Sequence, residues 1–317
     1  MKNARPVITV VGSFAVGLTL RAPRFPVAGE TLIGSDFDIG PGGKGSNQAV
    51  GAARLGAESH LVAVIGQDLF GDLALELYGR EGVGVTHLRR SAERNTGVGF
   101  IILNAAGENQ IVLDMGANHL LAAGDVDQAD GLLARSDVVL SVLEINPATA
   151  ARAMRAARQH GAISVLNPAP AQPLDDELLA AVDVLIPNES ELRILSGLAP
   201  DDPTDTLELA RRLQERGVRR LVVTRGRRGV LVIGAGGAAE AVPGVPVAVV
   251  DTTGAGDAFT CALGVALAEA GQANEASLLN AARFAVYAGA LACTRLGVVP
   301  ALPTRAEVHA LRQEQPG

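Results

Sequence analysis

The segment Asp251-Thr252-Thr253-Gly254-Ala255-Gly256-Asp257-Ala258-Phe259 holds the parts needed to move a phosphate: two glycines, a helix start and an acid just inside it. It follows the apolar run Val247-Ala248-Val249-Val250, which reads as a strand, and it opens a continuous pattern that predicts a helix from Ala255 to Ala270. Gly254 and Gly256 let the backbone approach a phosphate with no Cβ in the way. The free N–H groups of the helix's first turn, at an end carrying about +0.5 charge, are the parts of an anion hole. Asp257 then offers a carboxylate to the proton of an attacking hydroxyl. A weak base suffices in phosphoryl transfer, because the alcohol becomes acidic only as its oxygen bonds to phosphorus. The plainer reading makes Asp257 a first-turn acid that complements the dipole, with the glycines forming a tight turn.

A second glycine cluster, Pro41-Gly42-Gly43-Lys44-Gly45-Ser46-Asn47-Gln48-Ala49, leads into a helix read as Asn47 to Leu55. Its glycines, Gly43 and Gly45 among them, admit a close ligand, and Lys44 and Asn47 supply donors for hydroxyl or phosphate oxygens. Gly40, Gly42 and Gly45 also satisfy G-x-G-x-x-G, with Glu58 or Asp68 as the ribose acid of a dinucleotide site. The context argues against that reading. Asp36 to Ile39 is no buried central strand, and the first strand, Val7 to Val11, ends without the fingerprint. Lys44 is followed by Gly45, so no Walker A motif is present.

Two more elements belong to the same end of the predicted sheet. Asn188 and Glu191 stand three apart after the run Val182 to Ile186, as a capping pair or, functionally, with Glu191 orienting water on Mg²⁺. Thr224-Arg225-Gly226-Arg227-Arg228-Gly229 follows Leu221 to Val223, and Gly226 and Gly229 there leave room for a nucleotide.

The elements that must position these residues alternate. Short runs at Val7 to Val11, Leu61 to Ile65, Val138 to Val142, Ile163 to Leu166, Val182 to Ile186 and Leu221 to Thr224 are separated by amphipathic helical segments. That order predicts an α/β fold with a mostly parallel sheet covered on both faces, and ligands gathered at its carboxyl edge. Segments 16–39 and 97–116 break the rhythm as short alternating runs, read as antiparallel hairpins outside the main sheet. They are expected to form a small β-lid over the site or a face for dimerisation. Helices are expected at Ala255 to Ala270, Glu275 to Cys293 and Thr304 to Leu311, and no internal repeat of fixed period is found.

Composition sets the outer limits. A chain of 317 residues, 48% hydrophobic and 19% charged, builds a sizeable core. A net charge of −7 without a Lys/Arg cluster argues against nucleic acid and anionic membranes. No run reaches the length of a membrane span, and Met1 to Arg5 with the following apolar run is rejected as a signal peptide because Gly12, Ser13 and Gly17 interrupt it. Cys261 and Cys293 lack CxxC spacing and read as core thiols in a reducing cytoplasm, and the five histidines have no metal spacing.

Taken together, the two glycine motifs about two hundred residues apart, with Asn188-x-x-Glu191 and the Thr224-x-Gly226 turn between them, resemble the ribokinase-like carbohydrate kinases of the phosphofructokinase-B type. The similarity runs from Val7 to about Leu302, with Asn167-Pro168-Ala169-Pro170-Ala171 adding to it. The resemblance implies a single three-layer αβα domain over 1–317 with its β-lid inserted, an ATP-dependent sugar kinase that acts on a primary hydroxyl of a pentose or related carbohydrate, and a homodimer formed through the lid.

Residue by residue, it makes Asp257 the general base and Gly254-Ala255-Gly256 the anion hole. Gly43, Lys44, Gly45, Asn47 and Glu144 contact the sugar, while Asn188, Glu191, Thr224, Gly226, Gly229 and Gly256 serve ATP, with Mg²⁺ held at Glu191 through water. Asp251, Thr253, Ala292, Arg295 and Gly297 hold an activating monovalent cation, K⁺, largely through backbone carbonyls. Three positions depart from the family pattern. Ala15 and Gly17 replace an Asn and an Asp that grip sugar hydroxyls, which opens the site to deoxyribose, another sugar or a nucleoside, or leaves a non-catalytic binding protein. Ala301 replaces a Ser beside the cation, and Val286 stands at a nucleotide-side position that is often polar.

Overall fold

The computed structural model describes residues 5–315, so the start of the rejected leader, residues 1–4, lies outside the described residues. Among the described residues thirteen strands follow in chain order. They are β1 Val7–Val11, β2 Ala15–Arg21, β3 Ser35–Gly42, β4 Glu58–Gly66, β5 Leu88–Ser91, β6 Gly97–Leu103, β7 Asn109–Asp114, β8 Val138–Val142, β9 Ile163–Asn167, β10 Val184–Leu185, β11 Leu221–Thr224, β12 Val230–Ile233 and β13 Ala239–Val242. Nine of them form one sheet in the order β13-β12-β11-β10-β9-β8-β1-β4-β5, parallel from β11 to β5 and antiparallel at the β11-β12-β13 edge.

The central strands are β-branched and apolar at nearly every position because both faces are covered. Alternate side chains feed two cores: Ile8, Val10, Val138 and Leu140 pack with the helices Lys44–Arg54, Ala255–Ala270 and Glu275–Ala292, whereas Val11, Val139 and Leu166 pack with Ala150, Met154 and Leu192 on the other side. The three-layer α/β arrangement expected from the alternation is therefore present.

β3, β2, β6 and β7 form a separate four-stranded sheet. β2 with β3 and β6 with β7 are antiparallel as expected, but the two hairpins join through a parallel β2-β6 pair, which the local pattern did not indicate. One register row crosses all four strands as Ile39–Leu18–Phe100–Val112, with Ile39, Phe100 and Val112 45%, 56% and 71% exposed. The adjacent row, which the pleat turns to the other face, begins Gly40–Gly17–Gly99. The first face is thus exposed and apolar, while the second has three adjacent glycines ending on Leu113.

Several boundaries differ from expectation. Val247 to Val250 is a loop: Val249 and Val250 are 62% and 61% exposed, and the run is fixed by Val250 N–H and Asp251 N–H donating to the Cys293 carbonyl. The run has strand-like residues but joins neither sheet. The Val182 to Ile186 strand shortens to Val184–Leu185, and the helix read from Asn47 begins at Lys44. Cys261 is a buried thiol; Cys293 is only partly buried, at the end of its helix.

The terminal helix Arg305–Glu314 starts on a capping box between Thr304 and Glu307. Burial resists ionisation of Glu307, but the Thr304 N–H (2.7 Å), Arg295 (2.5 Å) and the Thr304 hydroxyl (2.8 Å) outweigh it and bring its pKa down to about 2 from 4.5. A depressed folded value stabilises the native state above the unfolded pKa, and the gain is lost as pH falls through the folded one. In thermal scans Glu307→Gln should lower Tm at pH 6, with the gap to the parent closing between pH 4.5 and about 2. A gap that does not change with pH would contradict this linkage.

Candidate active site

The carboxyl ends of β1, β8, β9 and β10 converge, and the site is assembled from the turns that leave them. After β1 the chain turns at Gly12-Ser13-Phe14. The Ser13 hydroxyl donates to Glu144 Oε2 (2.6 Å), just beyond β8, and the Ser13 carbonyl accepts from Ser46 N–H (2.8 Å). Glu144 Oε2 also accepts from Lys44 N–H (2.8 Å). One carboxylate oxygen thus ties the β1 turn to the first turn of helix Lys44–Arg54. Burial raises the pKa of Glu144, against the pull of Ser13 and of the Lys44 charge and N–H.

Gly43, which caps that helix, and Gly45, inside its first turn, both lie against backbone. Gly43 has φ +87°, and a Cβ there would lie 2.7 Å from Ala15 N; one on Gly45 would lie 2.3 Å from Ser13 N. Both are required for backbone to pack on backbone. At Gly256 and Gly226, by contrast, an added Cβ meets nothing within 4 Å, so the space beside them is open. Gly254 caps helix Ala255–Ala270 at φ +80°, and its α-hydrogen faces Val298. A Cβ on Gly229, at φ +81°, would lie 2.1 Å from the Val242 carbonyl oxygen, so this too is a packing glycine.

Asp257, 4% exposed in the first turn of that helix, meets the helix carrying Lys44. Asn47 Nδ2 donates to its Oδ2 (2.8 Å) and Gln48 Nε2 to its Oδ1 (3.2 Å). Asn47 Oδ1 is buried and has no hydrogen-bond partner among the described residues. The Asp257 carboxylate raises the Lys44 pKa, burial opposes this, and Glu144 and Glu191 add to the rise. Lys44 is therefore an ammonium ion at neutral pH, and it links all three acids in one field.

On the neighbouring side, Asn188 and Glu191 form the reciprocal capping box, each side chain accepting the other's N–H at 2.8 Å. Burial raises the Glu191 pKa, while Asn188 N–H and the Lys44 charge pull it back. Thr224 bridges to Asn188, with its N–H on the Pro187 carbonyl (2.9 Å), and Gly226–Arg228 form a 3₁₀ turn beyond it.

The residues read in the sequence as cation-binding also lie close together. Asp251 accepts from Thr253 N–H (2.9 Å), the Thr253 hydroxyl (2.7 Å) and Gly297 N–H (3.2 Å). Ala292 ends its helix beside Cys293, whose carbonyl fixes residues 250 and 251, while the Arg295 side chain turns away to Glu307. Ala301 and Val286 are buried. Sequence reading gave no role to Ser13, Gln48, Asn118 or Asn167. Asn118 holds Phe14 through Oδ1 to its N–H (2.9 Å) and Nδ2 to its carbonyl (2.8 Å). The only signal for Gln48 was its place beside Asn47.

A helix start at a glycine turn, a buried carboxylate and a polar helix carrying Lys44 and Asn47 meet at the carboxyl edge of a parallel sheet, and these are the parts a phosphotransferase that acts on an alcohol requires. Residues 6–305 match the pfkB family of carbohydrate kinases, and the chain belongs to that family as a ribokinase-like carbohydrate kinase. It is 38% identical over 303 residues to the ribokinase of Haemophilus influenzae, covering 96% of this chain and 97% of that one. It is also 34% identical over 281 residues to the deoxyribokinase of Salmonella typhi, covering 88% and 91%. The structure of Arabidopsis thaliana ribokinase complexed with ribose and ATP superposes with a TM-score of 0.89 at 31% identity, over 97% of this chain and 99% of that one.

Proposed function

We propose that this kinase transfers the γ-phosphoryl group of ATP to a primary hydroxyl of a pentose, with Asp257 as general base. The observation that carries the reading is the meeting of Lys44, Asn47 and Asp257, from two helices that each begin at a glycine turn. The acceptor lies against Gly43, Lys44, Gly45, Asn47 and Glu144, where Asn47 Oδ1 lacks a partner. Asp257 takes the hydroxyl proton as the oxygen attacks, and the amides of Gly254, Ala255 and Gly256 receive the negative charge that develops on the transferred group. Lys44 adds a positive charge on the acceptor side.

ATP is placed along Asn188, Glu191, Thr224, Gly226 and Gly229, and the open space at Gly226 and Gly256 fits a phosphate chain. Glu191 would hold Mg²⁺ through water, and the bound ion supplies neutralising charge at the phosphates. Asp251, Thr253, Ala292, Arg295 and Gly297 would hold K⁺; the closeness of loops 251–253 and 293–297 supports this. The two free thiols suit the cytoplasm.

Ala15 and Gly17 bring no polar side chain to the acceptor end of β2. This favours acceptors with fewer hydroxyls, so a panel of ribose, 2-deoxyribose, other sugars and nucleosides with Mg-ATP is the direct test. Phosphorylation of a pentose or deoxypentose supports the reading; turnover of none rejects it.

Residues 1–317 act as one domain whose 16–39 and 97–116 segments form a lid, and the row Ile39–Leu18–Phe100–Val112 joins two lids in a homodimer. Sedimentation should show the parent as a dimer and Phe100→Asp as a monomer. A monomeric parent, or a dimer unmoved by the charge, contradicts the pairing.

A further inference from the structure

Gln48 is fully buried beside Asn47 and has no part in the chemistry proposed above. Its amide nitrogen donates both hydrogens, one to Asn167 Oδ1 (3.2 Å) and one to Asp257 Oδ1 (3.2 Å), while its Oε1 is buried without a partner. The direction of these bonds is imposed from outside. Asn167 Nδ2 donates to the Ile186 carbonyl (3.0 Å), just past β10, and a carbonyl can only accept. Asn167 must therefore turn Oδ1 toward Gln48, and Gln48 must answer with its nitrogen. Reversing the Gln48 amide would set its oxygen against two acceptors.

The amide commits both hydrogens to fixed acceptors, and its own oxygen has no protein partner among the described residues. With Asn47 Nδ2 on Oδ2 at 2.8 Å, each oxygen of Asp257 has one fixed donor. Two donors on two oxygens fix the plane of a carboxylate.

We infer that Gln48, oriented by Asn167, is a positioning residue that holds the Asp257 carboxylate so that a lone pair stays aimed at the acceptor hydroxyl. This rests on Asp257 being the base. The chain of bonds runs from the nucleotide-side strand end at Ile186 to the acceptor side, so the base is registered against both substrates.

The test is Gln48→Met, which keeps length and apolar bulk and removes both the donors and the unpartnered oxygen. The variant should fold with an unchanged melting profile, lose kcat on the order of 10- to 100-fold, and keep KM for sugar and ATP within about threefold. Introduced into Asp257→Asn, the same change should cause no further loss, because a residue that acts only through the carboxylate has nothing left to position. Asn167→Ala, in the same two backgrounds, should repeat the pattern with a smaller loss. An unchanged kcat in Gln48→Met, or an equal fold-loss in the Asp257→Asn background, overturns the role of Gln48 alone. A parental kcat in Asp257→Asn itself overturns the base assignment and this inference with it.

Discussion

Asp257→Asn is expected to lower kcat by about 10²- to 10⁴-fold while KM for ATP stays within about threefold. Asparagine has the shape of aspartate, so the 4% exposed position stays filled and the helix start at Gly254 stays formed. The variant loses the capacity to accept a proton. Its new amide also confronts donors from Asn47 and Gln48, so one of the two contacts at 2.8 and 3.2 Å must rearrange. ATP, placed along residues 188–229, should bind as before. A loss expressed mainly in KM for ATP, with kcat intact, would move Asp257 from chemistry to nucleotide binding.

Gly45→Ala should be nearly as damaging, for a steric reason. The new Cβ would stand 2.3 Å from Ser13 N and 2.8 Å from both Gly12 C and Cα, all backbone atoms with no side chain end that could swing aside. The first turn of helix Lys44–Arg54 must then leave the β1 turn, which breaks the Lys44 N–H bond to Glu144 and the Ser46 N–H bond to Ser13. A stability loss of about 3 kcal/mol and a fall in kcat/KM on the order of 100-fold are expected. Gly79→Ala is the control: nothing lies within 4 Å of its Cβ inside helix Leu69–Glu81, so it should be neutral or stabilising by up to ~1 kcal/mol. Denaturant unfolding and steady-state kinetics on the pair separate packing from composition; equal stability of Gly45→Ala and the parent would show that the contact can relax.

The parts legible in the sequence were those that local pattern encodes. β1, β8 and β11 were read to the residue, because runs buried on both faces are apolar at nearly every position and end at Gly, Leu-Glu or Thr-Arg-Gly. The same rule failed at Val247 to Val250, since β-branched residues also occur in an exposed loop and only long-range pairing separates the two. Gly43 and Gly45 announced a close approach, but a sequence does not say whether a ligand or Ser13 approaches. Ser13 with Glu144, and Gln48 with Asn167, are contacts across 131 and 119 residues between ordinary polar types. Nothing local marks such pairs; they exist because the parallel sheet brings the ends of β1, β8 and β9 side by side.

The assignment stands or falls on where an acceptor hydroxyl sits. In a crystal of the protein with a pentose and a non-hydrolysable ATP analogue, the primary hydroxyl should lie about 2.6–3.2 Å from an Asp257 oxygen, with the terminal phosphate facing the amides of 254–256. A hydroxyl that instead contacts Glu144 and turns away from Asp257, or a phosphate remote from Gly256, would contradict it.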